Sequence, residues 1–383
     1  MGIKKNVLLF VFVHIFTACS MIGSDGLGKY MTETITVEDP GFQTKLLNYT
    51  QYSIDSVCSL SMPQNIKEFC ISKFIAKNNR VYLMDDSYTH TILAFDSNGN
   101  FLYKAGDRGR ARNEYIDGPS DFFVDNKNNL HVFDYRGQKI IVFDSEGKFM
   151  RTINTWEEHP WSIGLTENGQ YLYSFMENTS EAALAICNND NKIQKKLIPF
   201  GKEYTYLPSR GCFFQNGNRL SHIPILSDSI LVFNKDILEK IVRVDFKGKF
   251  IMDAIPDVVT DAGKTDELAT FNGIKNIQQY QETDSLIYLR YLYRNLERTL
   301  LIKKKSKEML GGLSLFDGIS PFSNYYLLDN KLVTFVSDEI VDLIKDNPRN
   351  DSFVEAYNKS APNIQAIIDG KIKTPAILYI SLK

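Results

Sequence analysis

Residues 121–153 read DFFVDNKNNLHVFDYRGQKIIVFDSEGKFMRTI. Four short runs rich in aromatic and β-branched side chains stand out near Phe122–Asp125, Leu130–Asp134, Lys139–Asp144 and Phe149–Ile153. Such side chains pack well on a pleated surface, so each run reads as a strand. The intervening Asn126-Lys127-Asn128-Asn129, Tyr135-Arg136-Gly137 and Ser145-Glu146-Gly147 read as turns. Asn, Asp and Gly suit turns because they tolerate positive φ or hydrogen-bond back to their own backbone. A second copy precedes this one. Ile92-Leu93-Ala94-Phe95-Asp96 and Gly99-Asn100-Phe101 match Ile140-Ile141-Val142-Phe143-Asp144 and Gly147-Lys148-Phe149 at a step of 48 residues. Ser72-Lys73-Phe74-Ile75-Ala76 aligns in the same way with Ser120-Asp121-Phe122-Phe123-Val124.

A four-strand unit with a period in the forties predicts an all-β fold, a β-propeller of four-stranded antiparallel blades. Later units are more divergent: strands are expected near Tyr171–Phe175, Ala183–Cys187, Gln194–Ile198, Ser229–Asn234, Ile241–Phe246, Ser285–Tyr293, Arg298–Lys303, Tyr325–Leu328 and Lys331–Val336. Length then favours six blades over seven, because a seventh would leave too little chain for connections. Beyond Lys331–Val336 the period changes. Ile340, Val341 and Ile344 share one face of a helix that Ser337 and Glu339 would start, and 352–358 has similar spacing. A small α-helical insertion in the last blade, at about 337–360, is expected before a final strand at Ala376–Leu382. The alternating Thr32-Glu33-Thr34-Ile35-Thr36-Val37 is expected to close the ring against the C-terminal blade, since an open ring leaves two unpaired edges.

The pattern Val124-Asp125, Asn129-Leu130, Val132, Asp134, then Ile140, Val142-Phe143-Asp144 and Gly147 resembles an NHL-type propeller blade. The longer stretch resembles the six-bladed β-propeller lipoproteins of Bacteroides-like bacteria. In that family a Gly-Pro-Gly-Glu-like linker joins early blades. Here Gly106-Asp107-Arg108-Gly109-Arg110-Ala111-Arg112-Asn113-Glu114 stands in its place, and only the glycines and Glu114 carry over.

The first residues are an address. Lys4 and Lys5 precede the apolar run 7–16, which is too short for a membrane span and suits a cleaved signal. Thr17-Ala18-Cys19 resembles a bacterial lipobox. This implies a signal peptide at 1–18, lipidation of Cys19, a small-residue tether at 19–29 and a propeller from 30 to 383. The chain is then expected to be lipid-anchored in the cell envelope, most simply at the outer membrane. The alternative is a plain secretory signal with an incidental Cys. A net charge of −2 with no basic stripe gives no basis for nucleic-acid binding. Cys58, Cys70, Cys187 and Cys212 could be oxidised in an exported protein; they lack zinc-ligand spacing, and the favoured reading is buried free thiols.

In a blade, the link to the next blade and the second-to-third-strand loop emerge on one face. Function concentrates in such loops on a rigid scaffold. That face collects Asp85, Asp86 and His90, then Arg108, Arg110, Arg112 and Glu114, then Tyr135 and Arg136, then Trp156, His159 and Trp161. Guanidinium forks match carboxylates, phosphates or sulfated sugars, and indoles stack on sugar rings or pack peptides. The alternative is structural: the arginines hold the linker by pairing with Glu114, Asp117 and Asp121, and the two Trp fill a blade interface. Asp134 reads as a turn residue. Asp125, Lys127 and Asn129 resemble an oxygen-rich cation loop but lack the terminal Glu of an EF-hand. No Gly-x-Ser-x-Gly, phosphate loop or His-Glu-x-x-His is present. The leading expectation is a binding module for an envelope protein, peptide or glycan, with no catalytic residue, no metal ligand and no cofactor assigned. The runner-up is a propeller hydrolase or lyase acting on glycans or lactones at the central axis, where other six-bladed propellers hold a divalent cation. Inward His, Asp or Glu side chains from three or more blades would favour it. A third reading is a structural subunit of an envelope complex, marked by an exposed apolar rim.

Overall fold

The computed structural model describes residues 30–39, 47, 51–66, 68–175, 182–188, 191–199, 212–224, 226–255, 267, 270–313, 315, 325–346 and 362–383. Six small antiparallel sheets form a six-bladed β-propeller. Blade 1 spans 73–105, blade 2 121–154, blade 3 162–199, blade 4 213–245 and blade 5 274–312. Blade 6 combines Tyr325–Leu328, Lys331–Val336 and Ala376–Leu382 with a strand from the other end of the chain, Tyr52–Ser59.

In blade 2 the first three strands, Asp121–Val124, Leu130–Asp134 and Lys139–Phe143, are buried along almost their whole length. Each sheet is covered on both faces by its neighbours, so these strands read as continuous apolar runs rather than alternating ones. The hydrophobic clusters accordingly form between blades. Tyr82, Met84, Ile92 and Ala94 of blade 1 meet Phe122, Val132 and Ile141 of blade 2, and Phe74, Val81 and Leu83 meet Val333 and Ile377 across the 6–1 junction. The outermost strand Phe149–Asn154 has water on one side and no fully buried residue.

The turns form for a repeated local reason. Asp96, Asp125 and Asp144 each accept hydrogen bonds from the backbone N–H groups two and four residues on. A residue with positive φ then completes each turn, Gly99 at +80°, Asn128 at +62° and Gly147 at +79°. A register shift recurs between the third and fourth strands, at Ala94/Phe95 and again at Val142/Phe143. Bulges of this kind sharpen the local twist.

Two expectations about the ends of the chain meet the structure differently. The helical insertion falls in the last blade as expected but extends past the expected bound of about 360. Helices Asp338–Asp346 and Pro362–Ile368 interrupt blade 6 between Lys331–Val336 and Ala376–Leu382, and Ile340, Val341 and Ile367 pack onto its core. The expected helical stretch at 352–358 lies outside the described residues, as do the signal peptide, Cys19 and the tether. Ring closure is corrected. Met31–Thr36 runs parallel to Ile237–Asp245 and makes blade 4 five-stranded. Closure belongs to Tyr52–Ser59, antiparallel to Ala376–Leu382 with Tyr52 opposite Leu382. Both segments alternate well enough to be edge strands. The choice between them is made by inter-blade contacts far away in sequence. Leu47, whose N–H donates to the Leu315 carbonyl at 2.8 Å, marks the chain's course past blade 5.

Candidate functional site

The linker from blade 1 to blade 2 is built on backbone and carboxylate contacts that leave its arginines outward. Asp107–Arg108 pairs in parallel with Glu114–Tyr115. Glu114 accepts a hydrogen bond from the Ala111 N–H at 2.8 Å and lies against Gly109, where any Cβ would collide with the carboxylate. Tyr115 is buried and donates its hydroxyl to the Ala105 carbonyl at 2.5 Å. The Arg112 carbonyl accepts from Thr152 Oγ1 at 2.7 Å, and the Ala111 carbonyl from Lys139 Nζ at 3.2 Å. These contacts seat residues 109–114 on the rim of blade 2, a few residues from Trp156.

Arg108 Nη2 lies 4.0 Å from Asp117 Oδ1 and Arg136 Nε 3.6 Å from Asp117 Oδ2. Asp117 thus bridges a linker arginine and a blade 2 loop arginine. All three side chains are more than half exposed, so each pair contributes less than about 1 kcal/mol. Arg110 and Arg112 are exposed, and among the described residues neither forms an ion pair. The structural alternative is met only in part: Asp117 takes up Arg108, whereas Glu114 binds backbone and Asp121 pairs elsewhere.

Next to this loop lies an aromatic cluster. Tyr135 meets Trp161 edge-on at 4.5 Å between ring centroids and His159 at 6.2 Å, and His159 meets Trp156 at 6.1 Å. The two tryptophans differ in role. Trp161 packs on Tyr135 at the start of blade 3, while Trp156 is 59% exposed. The Trp156 N–H donates to Asn154 Oδ1 at 2.9 Å, so its backbone is held while its ring is not covered. Asp86 and His90 belong to the neighbouring loop of blade 1. Asp86 is exposed and accepts from Ser87 Oγ, and His90 packs under Gly118, where a Cβ would lie 2.9 Å from the His90 Cβ.

Two aspartates of this face are structural. Asp85 is fully buried and accepts the backbone N–H groups of Ser87, Tyr88 and Thr89. Burial pushes its carboxyl up, but these bonds outweigh that and lower it. Asp134 is the turn residue expected: it accepts from the Gly137 N–H at 2.8 Å and, across the linker, from the Ile116 N–H at 3.0 Å. On the opposite face Asp125 is likewise occupied. Burial raises it, but His131 and Asn129 hold its carboxyl at about 2.

The axis carries groups that sequence reading missed. Lys73 Nζ lies 2.6 Å from Asp121 Oδ1, 3.4 Å from the Phe213 carbonyl and 3.7 Å from the centre of the Phe123 ring. Gln215 Nε2 donates to the Val124 carbonyl at 3.2 Å, as does Lys77 Nζ at 3.0 Å. Lys73 to Phe213 joins blades 1 and 4, and Gln215 to Val124 joins blades 4 and 2, which are not neighbours, so these two contacts cross the axis. Burial pushes Lys73 down and Asp121 up, and their pairing opposes both shifts. A signal was available: Lys73 and Asp121 occupy the same place in the two aligned copies, each after a Ser. A divalent cation does not fit this mouth, where an ammonium already pairs with the carboxylate. Among the described residues no three His, Cys, Asp or Glu side chains converge as a cation site. Cys187 and Cys212 are buried free thiols, each pushed up to about 12 by burial. Cys70 is exposed and Cys58 half-buried, against the expectation that all four are buried.

Fold and face together define a six-bladed propeller with an arginine- and aromatic-rich loop face. The chain belongs to the DUF4934 family, a domain of unknown function, which matches residues 66–372. It is similar to a crystal structure from Bacteroides fragilis described as an exported protein, with 16% identity and a TM-score of 0.68 over 91% of this chain and 99% of that one. A DUF4221 family member from Bacteroides vulgatus matches at 10% identity and a TM-score of 0.46, over 88% of this chain and 99% of that one. No curated protein matches the chain.

Proposed function

We propose that this protein is an exported lipoprotein, anchored through Cys19, whose loop face binds an anionic group on an envelope protein, peptide or glycan. The observation that carries this reading is the 109–114 loop. Its backbone is docked on blade 2 while Arg110 and Arg112 are exposed and form no ion pair among the described residues, on the same face as the exposed ring of Trp156. Guanidinium forks kept clear of acids, on a face that also exposes an indole, suit a ligand that supplies both anion and flat apolar surface. The signal-like first residues support export, as does the description of the Bacteroides fragilis structure. The likeness to NHL-type lipoprotein propellers supports the same assignment.

The test is capture from solubilised envelopes with the wild type and with the Arg108→Ala/Arg110→Ala/Arg112→Ala variant. These side chains are exposed, so stability should stay within about 0.5 kcal/mol. The variant should lose the partner that the wild type retains at low salt. Capture of the same partners in the same amounts by both proteins would sink the proposal.

A further inference from the structure

Strand direction says which face the tether leaves from. The outermost strand of blade 4, Ile237–Asp245, starts at the tight turn 235–236 and ends at the linker to blade 5. It therefore runs from the turn face toward the face that holds the arginine loop. Met31–Thr36 is parallel to it, with Met31 opposite Lys240 and Thr36 opposite Asp245. The chain thus enters the propeller from the turn face and climbs roughly 20 Å toward the loop face at about 3.3 Å per residue. The entry is firmly held. Ile35 and Val37 are buried, and Lys240 Nζ sits 2.8 Å from both Glu33 and the buried Glu282.

A second feature of the turn face points the same way. Phe101 and Leu102 of blade 1 and Phe149 and Met150 of blade 2 open the outermost strands directly after the turns at 97–100 and 145–148. They are 36, 39, 41 and 52% exposed, although all four are large and apolar. Ile237, 69% exposed, occupies the corresponding corner of blade 4 on the far side of the ring. Apolar side chains grouped along one rim mark a contact surface; the loop side also exposes Tyr88, Ile116, Trp156, Leu296 and Leu313, so it is the entry of the chain that assigns the side.

We propose that the turn face is the membrane-facing side, with the rim of blades 1 and 2 resting on lipid and the arginine loop face directed away from the bilayer. This rests on the lipid anchor at Cys19 proposed above. Cys19 to Tyr30 is eleven residues, about 40 Å at full extension and roughly 18 Å as a random coil. The relaxed length is shorter than the climb of Met31–Thr36 plus any path over the loop face, so turning the propeller over would stretch the tether. The occupant is a lipid surface because the chain that leads to the rim's own face is the one expected to end in acyl chains.

The experiment uses full-length lipidated protein in vesicles of phosphatidylethanolamine and phosphatidylglycerol carrying a headgroup energy acceptor. Donor dyes are clicked onto p-azidophenylalanine introduced singly at Lys127, in a turn-face turn, or at Tyr88, in a loop-face loop; both are exposed. Transfer should be stronger from position 127 than from 88. It should fall when Phe149→Ser and Met150→Ser are added, with vesicle flotation unchanged. Equal transfer, or stronger transfer from 88, overturns the orientation while leaving the anchor intact. Flotation of a Cys19→Ser chain as complete as that of the wild type would instead overturn the anchor, and the orientation with it. Concentration-dependent dimerisation that Phe149→Ser abolishes would assign the rim to a second copy and overturn the lipid contact.

Discussion

His222 shows how one buried side chain sets a pH limit on the whole fold. It lies in blade 4, 2% exposed, with its ring 4.6 Å from that of Phe213 and Nε2 3.4 Å from Ser174 Oγ. Nδ1 has no hydrogen-bond partner among the described residues. Burial lowers its pKa to about 3, whereas an unfolded histidine titrates near 6.5. Between these values the unfolded chain holds a proton that the folded chain refuses. Stability is therefore complete above about pH 6.5 and declines below it, by up to about 1.4 kcal/mol per pH unit. Urea midpoints at pH 7 and pH 5 should differ clearly for the wild type and much less for His222→Gln. An equal pH dependence in the two proteins would exclude His222 as the cause. Gly164 shows the same close packing without charge: a Cβ there would lie 2.7 Å from the Phe213 ring. Only Gly lets this inner strand of blade 3 approach blade 4.

At the scale of elements, the strand Met31–Thr36 is an addition to a blade already complete. It covers the outer edge of blade 4, and exposed edges invite unwanted pairing. Ile35→Ala removes buried methyl groups and should cost about 2–4 kcal/mol locally. Because the strand pairs its backbone with blade 4 alone and packs with residues of blades 4 and 5, the loss should appear first as faster amide exchange in Ile237–Asp245, with amides of blades 1 and 2 unchanged. Uniform acceleration across all six blades would show that this strand is part of the global unit. The helical insertion is a different kind of addition. It leaves blade 6 in register, with Val336 still opposite Ala376, because it replaces a loop between strands and adds nothing to the sheet.

For the whole molecule, closure is the decisive event. Tyr52–Ser59 joins the two ends of the chain in one sheet, with Tyr52 and Ile54 packed beside Leu332, Leu378 and Ile380. Every blade buries both faces only when the ring is complete, so this one strand supports all six interfaces. Ile54→Asp places a charge in that core and should abolish the single cooperative unfolding transition, since uncompensated buried charge costs several kcal/mol. A sharp transition at the wild-type midpoint would mean that the ring tolerates an open seam. The axis obeys the same ring geometry. Lys73, Asp121, Gln215 and Val124 come from three blades and meet only because the ring is closed.

Much of the fold is legible in the sequence. Leu130–Asp134, Ser229–Asn234, Tyr325–Leu328, Lys331–Val336 and Ala376–Leu382 begin and end where pattern alone places them. Strands buried on both faces make unbroken apolar runs, and their Asp-led turns carry local signals. The face that gathers Arg108, Glu114, Tyr135, Arg136, Trp156 and His159 was also legible, because blade connectivity alone sorts loops by side. Less visible were the inner strands Ser162–Leu165 and Phe213–Asn216, each only four residues long. The sequence by itself determined the repeat, the number of blades and the side on which the loops gather, since these depend on local period, chain length and turn chemistry. Only the tertiary structure decided which N-terminal strand closes the ring, which acid each arginine meets and what crosses the axis. Those depend on contacts between residues tens to hundreds of positions apart, which no local pattern encodes.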